Sequence, residues 1–263
     1  MNIQKTTLAD LQKIYPHPSA ALFRAIELKI LWETLKKKTF HGPSVDIGCG
    51  DGVIAALLFD KKFTYGVDNG EANDYEVAIK NKTYKKLLLE SAEHMSIKNN
   101  SVNFVFSNSV IEHIPDNEVV LSEISRILKK RGDFVFTVPS HLFGKYLYLT
   151  DVFEKWKMST IARLYSNKRN GLLNHYHLYS CEEWKKRLKA HGLKIVAYSY
   201  YIDDQTLQLW DEIAWLVVLQ KKILSNYHQK ITEQFEREIK KHYNDAHPLL
   251  DKGASLLIHA QKK

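Results

Sequence analysis

The stretch Val45-Asp-Ile-Gly-Cys-Gly-Asp-Gly52 carries an apolar strand into three glycines at alternate positions. Glycine is needed where the chain turns with positive φ and where a ligand must lie against bare backbone. A helix starting just behind such a loop would aim free N–H groups and the positive end of its dipole at the same spot. The loop can therefore bind a phosphate or the carboxylate of an amino-acid-like ligand. Asp68 follows Gly48 by 20 residues, at the end of the next apolar run. In a chain of alternating strands and helices, an acid there accepts hydrogen bonds from both ribose hydroxyls of a nucleoside. Loop and acid, in this order, point to an adenosine-containing ligand. A dinucleotide site wants Gly-x-Gly-x-x-Gly, whereas Ile54 stands near the place of the third glycine, which disfavours NAD. Asp46, just before the loop, would repel a pyrophosphate and attract an ammonium group.

Other residues could move protons. Glu112 and His113 form an acid–imidazole pair that either serves as a general base near an acceptor or hydrogen-bonds the loop around it. His175, Tyr176, His177 and Tyr179 make a polar aromatic cluster. It either lines an acceptor pocket, or His177 packs against the edge of the sheet. His113 and His177 are the candidate general bases. No acidic or cysteine partner stands at ligand spacing from these histidines, so no metal is expected. Cys49 reads as a small spacer in the loop, since no partner base is placed to activate its thiol.

The elements that must position these groups alternate. Strands are expected at 44–47, 63–67, 86–89, 102–107, 133–138, 194–201 and 254–260. Helices are expected at 53–59, 71–80 and 116–130, the last closed by Gly132 as a C-cap. Ser180 to Glu183 forms a capping box for a helix reaching about His191. The pattern predicts an α/β, Rossmann-like, doubly wound and mostly parallel seven-stranded sheet with helical N-terminal and C-terminal additions. Residues 1–40 read as a helical cap, split at Pro16 and Pro18, and 41–263 as the main domain. Within it, 141–179 loses its period and reads as an insertion, and 206–250 reads as a helical segment. Residues 206–224 are apolar nearly all round at their centre, as in a buried helix, a greasy lid or a membrane-facing one.

Composition bounds the rest. The chain has 263 residues, 44% hydrophobic and 26% charged, both near globular averages, which excludes general disorder. Its longest apolar run, Ile213 to Leu219, is far short of the roughly 18 residues that span a bilayer. No secretory leader is expected in MNIQKTTLADLQ. Two cysteines cannot build a disulfide framework, and a reducing, cytoplasmic setting is expected. The net charge of +8 is concentrated in 145–204, with 11 basic and 6 acidic residues. That suits an anionic partner, a membrane surface or a solvated face. Few arginines and no interleaved stacking platform argue against nucleic acid.

With these blocks assembled, the chain resembles a class I S-adenosylmethionine-dependent methyltransferase, of the branch related to the quinone-biosynthesis methyltransferases. VDIGCGDG, YGVDN at 65–69, SAEHMSIKNNSVNFVFSNSVIEHI at 91–114 and RILKKRGDFVFTVPS at 126–140 match in order. The resemblance implies S-adenosyl-L-methionine as cofactor. Gly48, Cys49 and Gly50 would pass under its methionine part, with Asp46 near the amino group. Asp68 would hold the ribose, and Asn69 would border the adenine. Ala92 would offer its N–H to the ring, with Ser91 and Glu93 beside it; Ser91 replaces the usual Asp or Asn. Ser107 and Asn108 would border the transferable methyl. The acceptor would be a small molecule, a lipid or a glycan-linked group, entering between the N-terminal helices, the 141–179 insertion and the 206–242 helices. A nucleic-acid acceptor or a silent cofactor-binding subunit is the alternative, and peripheral membrane contact stays open.

Overall fold

The computed structural model describes residues 8–15, 17–70, 75–223, 228–246 and 251–263. The side chains of residue 8 and of 217–236 fall outside that description. Seven strands form one sheet: β1 (Ser44–Ile47), β2 (Phe63–Asp68), β3 (Tyr84–Leu89), β4 (Val102–Asn108), β5 (Leu128–Pro139), β6 (Leu193–Tyr201) and β7 (Ser255–Lys262). Their order is β3-β2-β1-β4-β5-β7-β6. The first five run parallel, and β7 is antiparallel to both β5 and β6. The expected doubly wound sheet is therefore present. The order reverses between β1 and β4, and a crevice opens outside the carboxyl ends of strands at such a switch point.

Helices cover both faces. They are α1 (Leu8–Ile14), α2 (Pro18–Leu35), α3 (Val53–Leu58), α4 (Tyr75–Asn81), α5 (Asn117–Ile127), α6 (Tyr148–Lys155), α7 (Ser159–Leu172), α8 (Cys181–Ala190), α9 (Asp204–Ile223) and α10 (His228–Asp245). Side chains alternate across a strand, so Phe104 and Phe106 of β4 join one core layer while Val105 joins the other. The first layer also takes α2, whose Ala21, Leu22, Ala25, Ile26, Leu28, Ile30 and Leu31 are all buried. A helix apolar on every side belongs in a core, and α2 sits in the one beneath Phe104 and Phe106. The second layer packs Val120, Leu121 and Ile124 of α5 with Trp184 and Leu188 of α8.

Two local expectations need correction. Helix α5 stops at Ile127, and β5 begins at Leu128. Gly132 is a strand residue instead of a C-cap: a Cβ there would meet Leu128 Cδ2 and the Lys129 carbonyl at 2.9 Å. Close approach of backbone, not a left-handed turn, is what that glycine serves. Arg131 takes the positive φ, 62°. Second, the 141–179 insertion is regular, holding α6 and α7. The described part of 206–242 lies in α9 and α10. In α9, Leu207, Leu209 and Ile213 are buried, so the early half is a core helix. The stripe beyond Leu216 lies outside the described side chains. Residues 71–74 of the expected helix also lie outside, and the capping box at Ser180 and Glu183 is present. No helix among the described residues is long and apolar enough to cross a membrane.

Candidate active site

The glycine loop leaves β1 at the switch point. Gly48, Gly50 and Gly52 all have positive φ, at 66°, 45° and 72°. The Gly48 and Cys49 N–H groups donate to the Val67 carbonyl at 2.8 and 3.1 Å, tying the loop to the end of β2. Asp68 braces it further: Oδ2 accepts from Gly50 N–H and Oδ1 from Gly70 N–H, each at 2.9 Å. A carboxylate has about four lone-pair sites, so each oxygen can still accept from a ribose hydroxyl. A Cβ at Gly50 would meet nothing within 4 Å. Open space over bare backbone, beside a half-buried carboxylate, fits a nucleoside with an amino-acid tail. At the helix entry, Asp51 Oδ1 accepts from Val53 N–H at 2.9 Å.

Asp46 is placed deeper than an open ammonium site would require, at 4% exposure. The Tyr84 hydroxyl donates to its Oδ2 at 2.6 Å. Tyr84 reaches it by crossing β2 at Gly66, where a Cβ would lie 2.8 Å from the ring. Burial pushes the Asp46 carboxyl up to about 7, against the pull of the Tyr84 hydrogen bond. Cys49 is buried, and burial with the nearby Asp46 raises its thiol far above the usual range. That supports the spacer reading, since the thiolate is the nucleophile.

After β3, Ser91, Ala92 and Glu93 form a half-buried turn. The Ser91 hydroxyl donates to Glu93 Oε2 at 3.1 Å and accepts from Glu93 N–H at 3.2 Å. Ala92 packs against the second core layer, and Asn69 is exposed. Ser107 is fully buried and donates to the Ile47 carbonyl at 3.1 Å, joining β4 to β1.

Asn108 leads to residues that sequence reasoning missed. Its Nδ2 donates to Glu27 Oε2 at 3.0 Å, and its Oδ1 accepts from Thr137 Oγ1 at 3.0 Å. Glu27, from α2, is 0% exposed. It also accepts from Arg24 Nη1 at 2.5 Å, Ser109 Oγ at 3.0 Å and Tyr201 Oη at 2.8 Å. Burial alone would raise its carboxyl; Arg24 and the Asn108 and Tyr201 hydrogen bonds outweigh that and hold it below the usual range. The signal available in the sequence was an Arg/Glu pair three apart inside an apolar helix.

Beyond β4, a single 3₁₀ turn, Ile111–His113, brings Glu112 and His113 to the insertion. Tyr176 N–H donates to the Glu112 carbonyl at 2.9 Å. His175 lies beside them, its ring centroid 5.5 Å from that of His113. The acidic partner absent from the local spacing around His175 thus arrives from another part of the chain. Burial raises the Glu112 carboxyl to about 8 and lowers the His175 imidazole to about 4. Burial lowers His113 as well. His177, expected as a base, has both ring nitrogens engaged. Its Nε2 donates to the Ile114 and Pro115 carbonyls at 2.9 and 3.0 Å, and Tyr179 Oη donates to its Nδ1 at 2.9 Å. It fastens the insertion to the loop after β4.

Aromatic rings close the far side. Phe143 meets His175 edge-on at 4.9 Å and Trp210 at 5.8 Å, and Phe23 meets Trp210 at 6.2 Å. Arg169 lies over Trp210 at 5.1 Å and pairs with the buried Asp211 at 2.9 Å, which also accepts from Tyr165 Oη at 2.6 Å. A concavity of about 620 Å³ lies elsewhere, among Trp32, Phe40, Phe63 and Lys85 at the amino ends of the strands. It is lined by none of the glycine-loop residues, Asp68 or the 91–93 turn.

Residues 45–136 match the family described as a methyltransferase domain. The chain is 26% identical over 183 residues to an uncharacterized protein of Methanocaldococcus jannaschii, covering 66% of this chain and 68% of that one. It is 32% identical over 111 residues to human arsenite methyltransferase, covering 35% of this chain and only 29% of the human protein. In fold it is similar to an S-adenosylmethionine-dependent methyltransferase from Thermotoga maritima, with a TM-score of 0.56 at 19% identity, across 98% of this chain and 100% of the other. The quinone-biosynthesis branch is not singled out by these likenesses. The 48–52 loop, Asp68 and the 91–93 turn, the segments expected to hold S-adenosylmethionine, follow or end β1, β2 and β3 at their carboxyl ends, and the cofactor supplies an activated methyl group when bound. Residues 45–136 thus match a methyltransferase domain, and the sheet around them has the fold seen in S-adenosylmethionine-dependent methyltransferases.

Proposed function

We propose that the protein methylates a small organic acceptor held among α2, the 141–179 insertion and α9. The observation that carries this reading is the meeting of those three additions at the carboxyl end of β4. Glu27 of α2 bonds Asn108 and Ser109, Asp211 of α9 pairs with Arg169 of the insertion, and Phe23, Phe143 and Trp210 join them into one aromatic wall. A wall of this kind excludes water and orients a compact molecule. Methyl transfer is an in-line displacement, so alignment is the protein's main contribution. Asn108 is held from both sides, by Glu27 and by Thr137, which fixes the strand end nearest the expected methyl. His113 donates from Nδ1 to the Asn174 carbonyl at 3.1 Å, which holds the ring beside Glu112 at the edge of this wall. The human relative is named for arsenite, itself a small acceptor.

The test has two stages. Calorimetric titration should give micromolar binding of S-adenosylhomocysteine and none of NADH, and Asp68→Ala should lose that binding with its circular dichroism unchanged. Release of S-adenosylhomocysteine is then followed with panels of small amines, hydroxy and carbon acids, with lipid vesicles and with RNA. Trp210→Ala should keep its affinity for S-adenosylhomocysteine and lower kcat/KM for the acceptor at least tenfold. Turnover of vesicles or RNA alone would refute the small-acceptor reading.

A further inference from the structure

Glu112 is 1% exposed, and its Oε2 is buried with no hydrogen-bond partner. A buried carboxylate oxygen left unpaired is costly unless something positive meets it. What stands around it is specific. Ligand atoms of Glu112, His113 and His175 all lie within 4.8 Å of one another, with Glu112 Oε1 3.7 Å from His113 Nε2.

The two imidazoles are prepared in the same way. His113 Nδ1 faces the Asn174 backbone carbonyl at 3.1 Å, and His175 Nδ1 faces Asn170 Oδ1 at 3.3 Å. A carbonyl oxygen can only accept, so each Nδ1 carries the proton and each Nε2 presents a lone pair. Metal-binding histidines are oriented by just such a hydrogen bond from the other ring nitrogen. Phe143 packs edge-on against His175, fixing that ring. The Tyr176 N–H bond to the Glu112 carbonyl keeps the insertion against the 3₁₀ turn.

We infer that Glu112, His113 and His175 form a binding site for one first-row divalent metal ion at the base of the insertion. Two imidazoles and one carboxylate are the donor set that such ions favour over magnesium. Bonds of roughly 2.1 Å place neighbouring donors roughly 3.4 Å apart, so the set closes on an ion by a modest rotation of His113, its exposed member. Three protein ligands leave at least one coordination position for water or for an oxygen of another molecule. The ion would meet Glu112 at Oε1, the oxygen that faces His113 Nε2, and its charge would offset the burial of the carboxylate whose Oε2 has no partner. The inference does not depend on which acceptor is methylated, because the ligands come from the loop after β4 and the end of the insertion.

The experiment uses the full chain freed of metal with a chelator and then titrated with Co²⁺ and with Zn²⁺, with Mg²⁺ as comparison. Wild type should bind one equivalent of Co²⁺, with the visible absorption of a low-coordinate site, and Zn²⁺ should displace it. Glu112→Gln, His113→Asn and His175→Ala should each weaken binding at least tenfold while retaining affinity for S-adenosylhomocysteine, which reports the fold separately. Should Glu112→Gln fail to fold, the two histidine variants decide. Co²⁺ affinity equal in wild type and both histidine variants, or no stoichiometric binding by wild type, would overturn the site. Tight binding of Mg²⁺ in preference to Co²⁺ would do so as well.

Discussion

Replacing Asp46 by Asn isolates a single titration. Asp46 is 4% exposed, and burial moves its carboxyl from 3.8 to about 7. At about 1.4 kcal/mol for each tenfold in the proton equilibrium, ionising it in the folded protein costs about 4 kcal/mol. The sign follows from the raised value. The stability contributed by the neutral acid is complete below about pH 4 and is lost progressively as the pH rises through 7. Asn cannot ionise, yet its side-chain oxygen can still accept from Tyr84. Urea unfolding of ligand-free wild type and Asp46→Asn at matched pH values gives the difference directly, and groups common to both, Glu112 included, cancel. Between pH 5 and pH 8.5 the variant's advantage should grow by about 3 kcal/mol. The measurement is made without cofactor, because a bound ammonium group would lower the same carboxyl. A difference that stays flat across this range, or that shrinks as the pH rises, would refute the reasoning.

Three further variants have expected outcomes. Gly50→Ala meets no protein atom but must keep φ at 45°, so stability should fall by only about 1 kcal/mol; affinity for S-adenosylhomocysteine should fall at least tenfold by calorimetry, since the new methyl occupies the open space over the loop. Glu27→Gln leaves the part-exposed Arg24 without its counter-charge and weakens the buried hydrogen bonds around position 27, so it should cost about 2–3 kcal/mol in urea unfolding, whereas Tyr201→Phe, which removes one of several hydrogen bonds to the same carboxylate, should cost about 1 kcal/mol.

The glycine loop and the Asp68 that braces it were legible because their determinants are local. Three glycines with positive φ, and an acid one strand later, lie within 21 residues and leave a pattern that composition cannot hide. The acceptor half was not legible, because its contacts join distant segments. Glu27 bonds Asn108 and Tyr201, and His177 bonds the carbonyls after β4; nothing near either residue announces the partner. The insertion lost its helical period because Trp156, Ile161, Leu164 and Leu172 are exposed, so its apolar residues do not mark one buried face. Helix α5 was overrun by three residues because Lys129, Lys130 and Arg131 suit a helix C-terminus as well as an exposed strand entry. The alternation of strands and helices survived such errors, since it depends on burial of whole strands.

Strand β7 has a consequence for how the chain reaches this state. It lies between β5 and β6, hydrogen-bonded to both, and it is the last of the seven to be made. Until residues 255–262 emerge, β5 offers an open edge and β6, finished by residue 201, has no neighbour to pair with. The first five strands can assemble early from nearby segments, but the sheet must wait through α9 and α10 before it closes. Contacts of such long sequence separation slow folding, and unpaired edges invite association between chains. A chain ended between residues 202 and 254 would therefore display a formed crevice at the switch point and an unfinished, adhesive rim.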